Sequence, residues 1–224
     1  MERIVISLGG SLIAPKDIDI GFLGNFKKAI SRHAQQGRKF AIVCGGGSTA
    51  RQYVAAASRL DHASDEEKDW IGIHCTRLNA VLLKTAFGRL APGDIVTDPT
   101  KRLDSKVPVI IAAGWKPGWS TDYVAAILAK QLGAKEVINM TNTDHVYTAD
   151  PKRDRQAKPL ARIAWKEYTR MFGSSWTPSM NVPFDPIASR LAQRLGLKVF
   201  IIGKGIDNLS SVVMGKKFRG TTIG

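Results

Sequence analysis

A chain of 224 residues with 44% hydrophobic and 23% charged residues has enough apolar side chain for a core and enough charge for a hydrated surface, which excludes a disordered or fibrous chain. Its 33 Lys and Arg against 19 Asp and Glu give a formal net charge of +14, a balance that suits either an anionic partner such as a nucleotide or a plain basic surface. The cations form no block of about five or more, so a nucleic-acid partner is not expected. No apolar run reaches the about 18 residues of a membrane span, and no leader pattern opens the chain. Cys44 and Cys75 lack metal-ligand or C-x-x-C spacing, so a cytoplasmic chain with reduced core thiols is expected.

Arg3–Leu8 is short and β-branched and reads as a buried strand. It runs into the turn Gly9-Gly10-Ser11. Over residues 22–36, apolar side chains at Phe22, Leu23, Phe26, Ala29 and Ile30 recur at helical spacing, and Gly37 is a helix stop. Residues 40–44 read as a second strand and lead directly into Gly45-Gly46-Gly47-Ser48-Thr49-Ala50-Arg51. A helix is predicted over 48–60, a polar loop or helix start over 61–69, and a long helix over 70–90 that Pro92-Gly93 breaks. Residues 107–112 form a third predicted strand, followed by Gly114-Trp115-Lys116-Pro117-Gly118-Trp119. Ser120 or Thr121 can cap a helix over 122–132 that ends at Gly133. Glu136–Met140 reads as a strand, 141–154 as a polar loop, Asp185-Pro186 as a helix start, Lys198–Ile202 as a strand and 220–223 as a short closing strand.

Strands that alternate with helices predict a mostly parallel sheet covered on its faces. Every Gly-rich or Thr/Asp-rich turn then falls at the carboxyl edge, where open α/β sheets bind ligands. The three glycines after the second strand let backbone approach an anion closely, and the helix that follows favours negative charge at its start. Gly45-x-Gly47-x-x-Ala50 formally matches a dinucleotide fingerprint, but it follows the second strand and lacks the acid that should end the next one. No Gly-Lys-Ser/Thr follows the glycines, which excludes a Walker A loop. Paired with Gly9-Gly10-Ser11, the turn can hold two phosphates of one reacting system. Ser120-Thr121-Asp122 and Thr141-Asn142-Thr143-Asp144 supply hydroxyls, amides and carboxylates at the same edge. Trp115 and Trp119 around Lys116 read either as loop packing or as a cationic lid.

These segments together resemble the amino acid kinase family and, within it, the archaeal-type uridylate (UMP) kinases. The resemblance runs over nearly the whole chain, through ISLGGSL at 6–12, CGGGSTARQYV at 44–54, DWIGIHCTRLNAVLL at 69–83, GWSTDYVAAILA at 118–129, TNTDHVYTADPKRD at 141–154 and FDPIASRLA at 184–192. It implies a single three-layer αβα sandwich over 1–224, with an acceptor-binding half over about 1–135 and an ATP-binding half over about 136–224. It implies transfer of the ATP γ-phosphoryl group to UMP with Mg2+, in pyrimidine nucleotide biosynthesis, by a homohexamer. By position, Gly9, Gly10 and Ser11 would hold the transferring group, with Asp122 and Asp185 organising the centre. Gly45, Gly46, Gly47, Arg51, Asp69, Thr76, Asn79 and Thr121 would bind UMP, and Thr141, Asn142, Tyr147 and Asp150 would frame ATP.

The chain departs from the family pattern in three places. Ser7 stands where many members carry lysine, Ser48 stands where archaeal members often carry lysine, and His145 replaces a glycine. An uncompensated loss of one preorganised donor costs about 10²–10³ in rate, so another cation is expected to substitute. Lys116, just ahead of Ser120-Thr121-Asp122, is the sequence candidate, sharing the work with Arg51 and Mg2+. A non-catalytic nucleotide or oxyanion binder of the same fold, or a kinase of another small phosphate or carboxylate, stays open on the residues alone.

Overall fold

A computed structural model describes residues 3–104, 106–151, 153–173 and 182–224. The elements run β1 (Arg3–Leu8), α1 (Gly10–Ile13), α2 (Ile20–Gln35), β2 (Lys39–Cys44), α3 (Gly47–Leu60), α4 (Asp65–Phe87), β3 (Val109–Ala112), α5 (Thr121–Leu132) and β4 (Glu136–Met140). Then follow β5 (Val146–Tyr147), β6 (Pro159–Leu160), β7 (Arg162–Ile163), α6 (Trp165–Phe172), α7 (Pro186–Arg194), β8 (Lys198–Ile202), α8 (Ile206–Val213) and β9 (Thr221–Ile223). The main sheet has the order β3-β2-β1-β4-β8-β9-β7, with β5 and β6 forming a separate hairpin. Its first five strands are parallel, and β9 turns antiparallel to β8.

Period-two alternation in the strands builds two cores. Ile6, Leu8, Phe40, Ile42 and Met140 face one side, against Phe26 and Ile30 of α2, Leu83 and Phe87 of α4, and Leu209 of α8. Val5, Ala41, Val43, Val137 and Val199 face the other, against Val124 and Leu128 of α5, Tyr168 of α6 and Ala188 of α7. Both faces of the sheet are therefore covered, and the αβα sandwich is the architecture that the strand–helix alternation predicts. Cys44 and Cys75 are buried free thiols, and burial pushes Cys44 up to about 12.

The long helix differs from its prediction. It starts at Asp65 because Ser64 and Glu67 form a capping box, each side chain bonded to the other's backbone. It ends at Phe87, where Gly88 (φ 53°) opens a short 3-10 turn. The third strand starts at Val109, two residues late, since Pro108 has no N–H to give the ladder. α6, α8 and the short strands β5–β7 have no counterpart in the sequence reading.

Cations gather at the amino edge of the sheet. Arg3, Lys39 and Lys198 open β1, β2 and β8, and Arg38 and Lys135 stand just ahead of β2 and β4. Arg3 is buried there, its guanidinium donating to the carbonyls of Phe40 at 2.8 Å and Val107 at 2.9 Å.

Candidate active site

Residues 8, 44 and 140 pair directly across β1, β2 and β4. The loops that leave these strands therefore emerge side by side, and with the β3–α5 loop they enclose a cleft of about 520 Å3 at the carboxyl edge. The two glycine turns meet there backbone to backbone. A Cβ on Gly10 would stand 2.0 Å from the Gly47 nitrogen, and one on Gly45 would stand 2.4 Å from the Gly10 nitrogen. Gly47 also has a φ of 69°, a conformation that glycine takes without strain. Gly45 N–H donates to the Leu8 carbonyl at 2.9 Å and Ser48 N–H to the Ala14 carbonyl at 2.8 Å, which ties the second turn to the strand and helix that flank the first. α3 begins at Gly47 with no side-chain cap, so the start of this 14-residue helix favours an anion.

α4 braces the acceptor turn from behind. Asn79 Nδ2 donates to the Gly45 carbonyl at 2.8 Å and the Gly46 carbonyl at 3.2 Å. Thr76 Oγ1 donates to the Ile73 carbonyl at 2.6 Å and accepts from Gly114 N–H at 2.8 Å. Asp69 Oδ2 accepts from Gly118 N–H at 2.8 Å, which ties the tryptophan loop to α4, and burial raises its carboxyl above the usual range.

Asp122 and Asp185 form the floor between the two turns. Ser7, on the β1 face that looks toward α5, donates its hydroxyl to Asp122 Oδ1 at 2.8 Å. Asp185 N–H donates to Asp122 Oδ2 at 3.0 Å. Burial first, and then the charge of Asp185, push Asp122 up to about 7, against the two hydrogen bonds it accepts. Asp185 caps α7 by accepting from Ala188 N–H at 2.7 Å, and burial raises its carboxyl too. The segment ahead of it is held by the buried Tyr168, whose hydroxyl donates to the Phe184 carbonyl at 2.8 Å and accepts from Phe184 N–H at 2.7 Å.

Most of the residues singled out in the sequence meet in this cleft. Gly10, Ser11, Gly45, Gly46, Gly47, Arg51, Asp69, Thr76, Thr121, Asp122, Asn142 and Asp185 line it. Gly9 stands behind the lining, its N–H donating to the Met140 carbonyl at 2.8 Å. Asn79, 2% exposed, holds the glycine turn and is not part of the cleft surface. Tyr147 lies in β5 beside His145, and Asp150 pairs with Arg153 at 3.7 Å, both beyond the cleft along the 141–154 loop.

Lys116 stands off the cleft wall in the β3–α5 loop. Its ammonium lies 4.2 Å over the Trp115 ring. A cation over an indole face gains from the ring quadrupole and needs no acidic partner. Trp115 packs against the α5-side core, while Trp119 stacks on Tyr123 at 4.1 Å and does reach the cleft. Lys68, which the sequence reading did not single out, lines the cleft together with Arg51. The Ser64-to-Glu67 spacing of the capping box was the signal that places it on α4.

Two interlocked glycine turns, a cationic wall and a carboxylate floor at the carboxyl edge define a phosphate-handling α/β protein. A family model described as the amino acid kinase family matches residues 2–203, and the chain belongs to that family. It is 37% identical to the uridylate kinase of Pyrococcus abyssi over 99% of each chain, and 37% identical to that of Thermococcus kodakarensis over 96% of each. The crystal structure of the uridylate kinase of Archaeoglobus fulgidus superposes with a TM-score of 0.85 at 34% identity, covering all of both chains. A UMP kinase structure from Bacillus anthracis shares the fold, with a TM-score of 0.79 at 21% identity.

Proposed function

We propose that this chain is a UMP kinase, moving the γ-phosphoryl group of ATP to UMP to give UDP and ADP within pyrimidine nucleotide biosynthesis in the cytoplasm. The observation that carries the reading is the contact between the two glycine turns in one cleft, the arrangement that a donor-phosphate cradle beside an acceptor-phosphate cradle would need. Relatives named uridylate kinase over the full chain support the choice of acceptor.

The 45–47 turn and Arg51 hold the UMP phosphate, with Asp69 and Thr121 toward the nucleoside. Gly10 and Ser11 receive the transferring group. Asn142, with Thr141, Tyr147 and Asp150 further along their loop, frames the ATP nucleoside, so that the acceptor half ends near residue 135 and the donor half begins with β4. An acceptor phosphate oxygen forms the new bond to phosphorus as the bond to the ADP oxygen breaks. The protein contributes position and charge to this step and no covalent chemistry.

A divalent cation finds no cluster of three or more His, Cys, Asp or Glu among the described residues, and both Asp122 oxygens already accept hydrogen bonds. That donor set suits Mg2+ held by ATP phosphate oxygens, with Asp185 the carboxylate beside it. When bound, the ion neutralises phosphate charge. Homo-oligomerisation draws support from apolar side chains left exposed on α3 and α4, Tyr53 at 64%, Leu78 at 62% and Val81 at 50%, and the hexamer is the form that the family resemblance implies.

A second reading, a nucleotide binder without turnover, draws on Ser7 and Ser48 standing where cations are usual. The test is ADP release from Mg-ATP across UMP, CMP, dUMP, GMP, acetylglutamate and isopentenyl phosphate. Turnover is expected with UMP above all others. Nucleotide binding with no turnover on any acceptor would exclude a kinase.

A further inference from the structure

We infer that Lys68 is an acceptor-phosphate ligand, the cation that stands in for the lysine missing at position 48. The inference rests on the UMP kinase reading. Arg51 and Lys68 are the cations among the described residues that line the cleft, against three carboxylates, Asp69, Asp122 and Asp185. Ser48 is 7% exposed and its hydroxyl is spent on the Lys16 carbonyl at 2.6 Å, so it offers the ligand no charge and a committed donor. Lys116 is held on Trp115.

Position along α4 favours Lys68. Lys68, Gly72 and Thr76 follow at four-residue intervals, one stripe of the helix. The Gly72 carbonyl lies 3.5 Å from where a Cβ on Gly46 would stand, and Thr76 pins Gly114. The stripe therefore runs over the acceptor turn, and Lys68 is its next member toward the open end. Arg51 lines the same cleft from α3, about one turn into that helix.

The Lys68 ammonium pairs with Asp65 at 3.3 Å. Its own side chain is 27% exposed and that of Asp65 is 78% exposed. A pair with one partner so open to water holds weakly. A dianionic phosphate is the stronger partner, and a flexible four-carbon stem lets the ammonium turn to it.

The experiment measures binding of UMP and of uridine by calorimetry, with UMP steady-state kinetics at saturating Mg-ATP, for wild type, Lys68→Gln, Lys68→Arg and Asp65→Asn. Lys68→Gln should weaken UMP about tenfold or more, the scale of one charged hydrogen bond, and raise KM for UMP with kcat within about threefold. Uridine affinity should stay unchanged, and Lys68→Arg should recover most of the UMP affinity. Asp65→Asn breaks the same ion pair while keeping the ammonium, and should bind UMP as well as wild type or better. UMP affinity within about twofold of wild type in Lys68→Gln overturns the inference, as does equal loss of uridine, or equal loss of UMP in Asp65→Asn. Those results leave the kinase reading intact if wild type turns UMP over. Wild type that neither binds nor phosphorylates UMP overturns both.

Discussion

The two ends of the cleft are built differently. The acceptor end is a joint: Gly10, Gly45 and Gly47 touch through backbone, Asn79 and Thr76 brace them from α4, and the carbonyls and hydroxyls involved are already paired. The donor-nucleotide end is a loop. Of the residues assigned to it, Asn142 alone reaches the cleft wall, and the loop combines exposed ion pairs, Asp150 to Arg153 and Asp144 to Arg219 at 2.8 Å, with ties to the sheet through Thr141 N–H to the Ile202 carbonyl and Val146 N–H to Thr221 Oγ1, both at 2.9 Å. The difference teaches where precision resides. In the proposed function the acceptor phosphate meets the packed joint of the two turns, and the nucleoside of ATP meets a loop.

Substitutions can break that contrast. Gly10→Ala should be the most damaging, because its Cβ must displace the Gly47 backbone. Loss of more than about 10²-fold in kcat/KM is expected, as for a misplaced reacting group, with a lower melting temperature. A variant that keeps wild-type kinetics would mean the joint is loose. Asp122→Asn comes next, with kcat down about tenfold to 10²-fold. Its stability should move the other way. A carboxyl raised from 3.8 to about 7 by folding stabilises the fold fully below about pH 4 and loses that contribution as pH rises to about 7. Asn carries no such cost, and Ser7 can rotate to accept from it. Ligand-free Asp122→Asn should therefore melt higher than wild type at pH 8, by about 4 °C or more, and not at pH 4. An equal difference at both values would refute the buried carboxyl pair.

Arg219→Ala probes the looser end. KM for ATP should rise about twofold to fivefold, the worth of an exposed ion pair, while KM for UMP stays put. A change in the UMP constant would show that the ends are coupled. Lys116→Ala should do least, leaving turnover within about threefold, since its ammonium rests on Trp115 away from the cleft. A larger loss would return Lys116 to the site.

Much of this was legible in the sequence, and the reasons differ by element. Strands β1, β2, β4 and β8 each carry β-branched residues and have a glycine close to at least one end, so their limits fell within a residue of the structure. The glycine turns were visible as an anion site, but not their mutual contact, which depends on the register between β1 and β2. α4 was misplaced at its start because apolar residues lie on several of its sides, which blurs a helical period, and its true signal was the cap. α6 and α8 are eight-residue helices among polar loops, too short for periodicity to stand out. The charge of +14 suits an anionic partner or a plain basic surface, yet the cleft wall holds two cations among the described residues, while Arg3, Arg38, Lys39, Lys135 and Lys198 stand at the opposite edge of the sheet. Lys116 was chosen by closeness in sequence to Asp122, while an indole ring nearer still took its ammonium.

The joint between the glycine turns also has a mechanical meaning. Loops that share backbone contact resist sliding apart, so in the proposed function the gap a phosphoryl group must cross is set by the packing and hydrogen bonds between the two turns. Such a device needs no hinge to bring its halves together and works like a gauge block, set once when the protein folds.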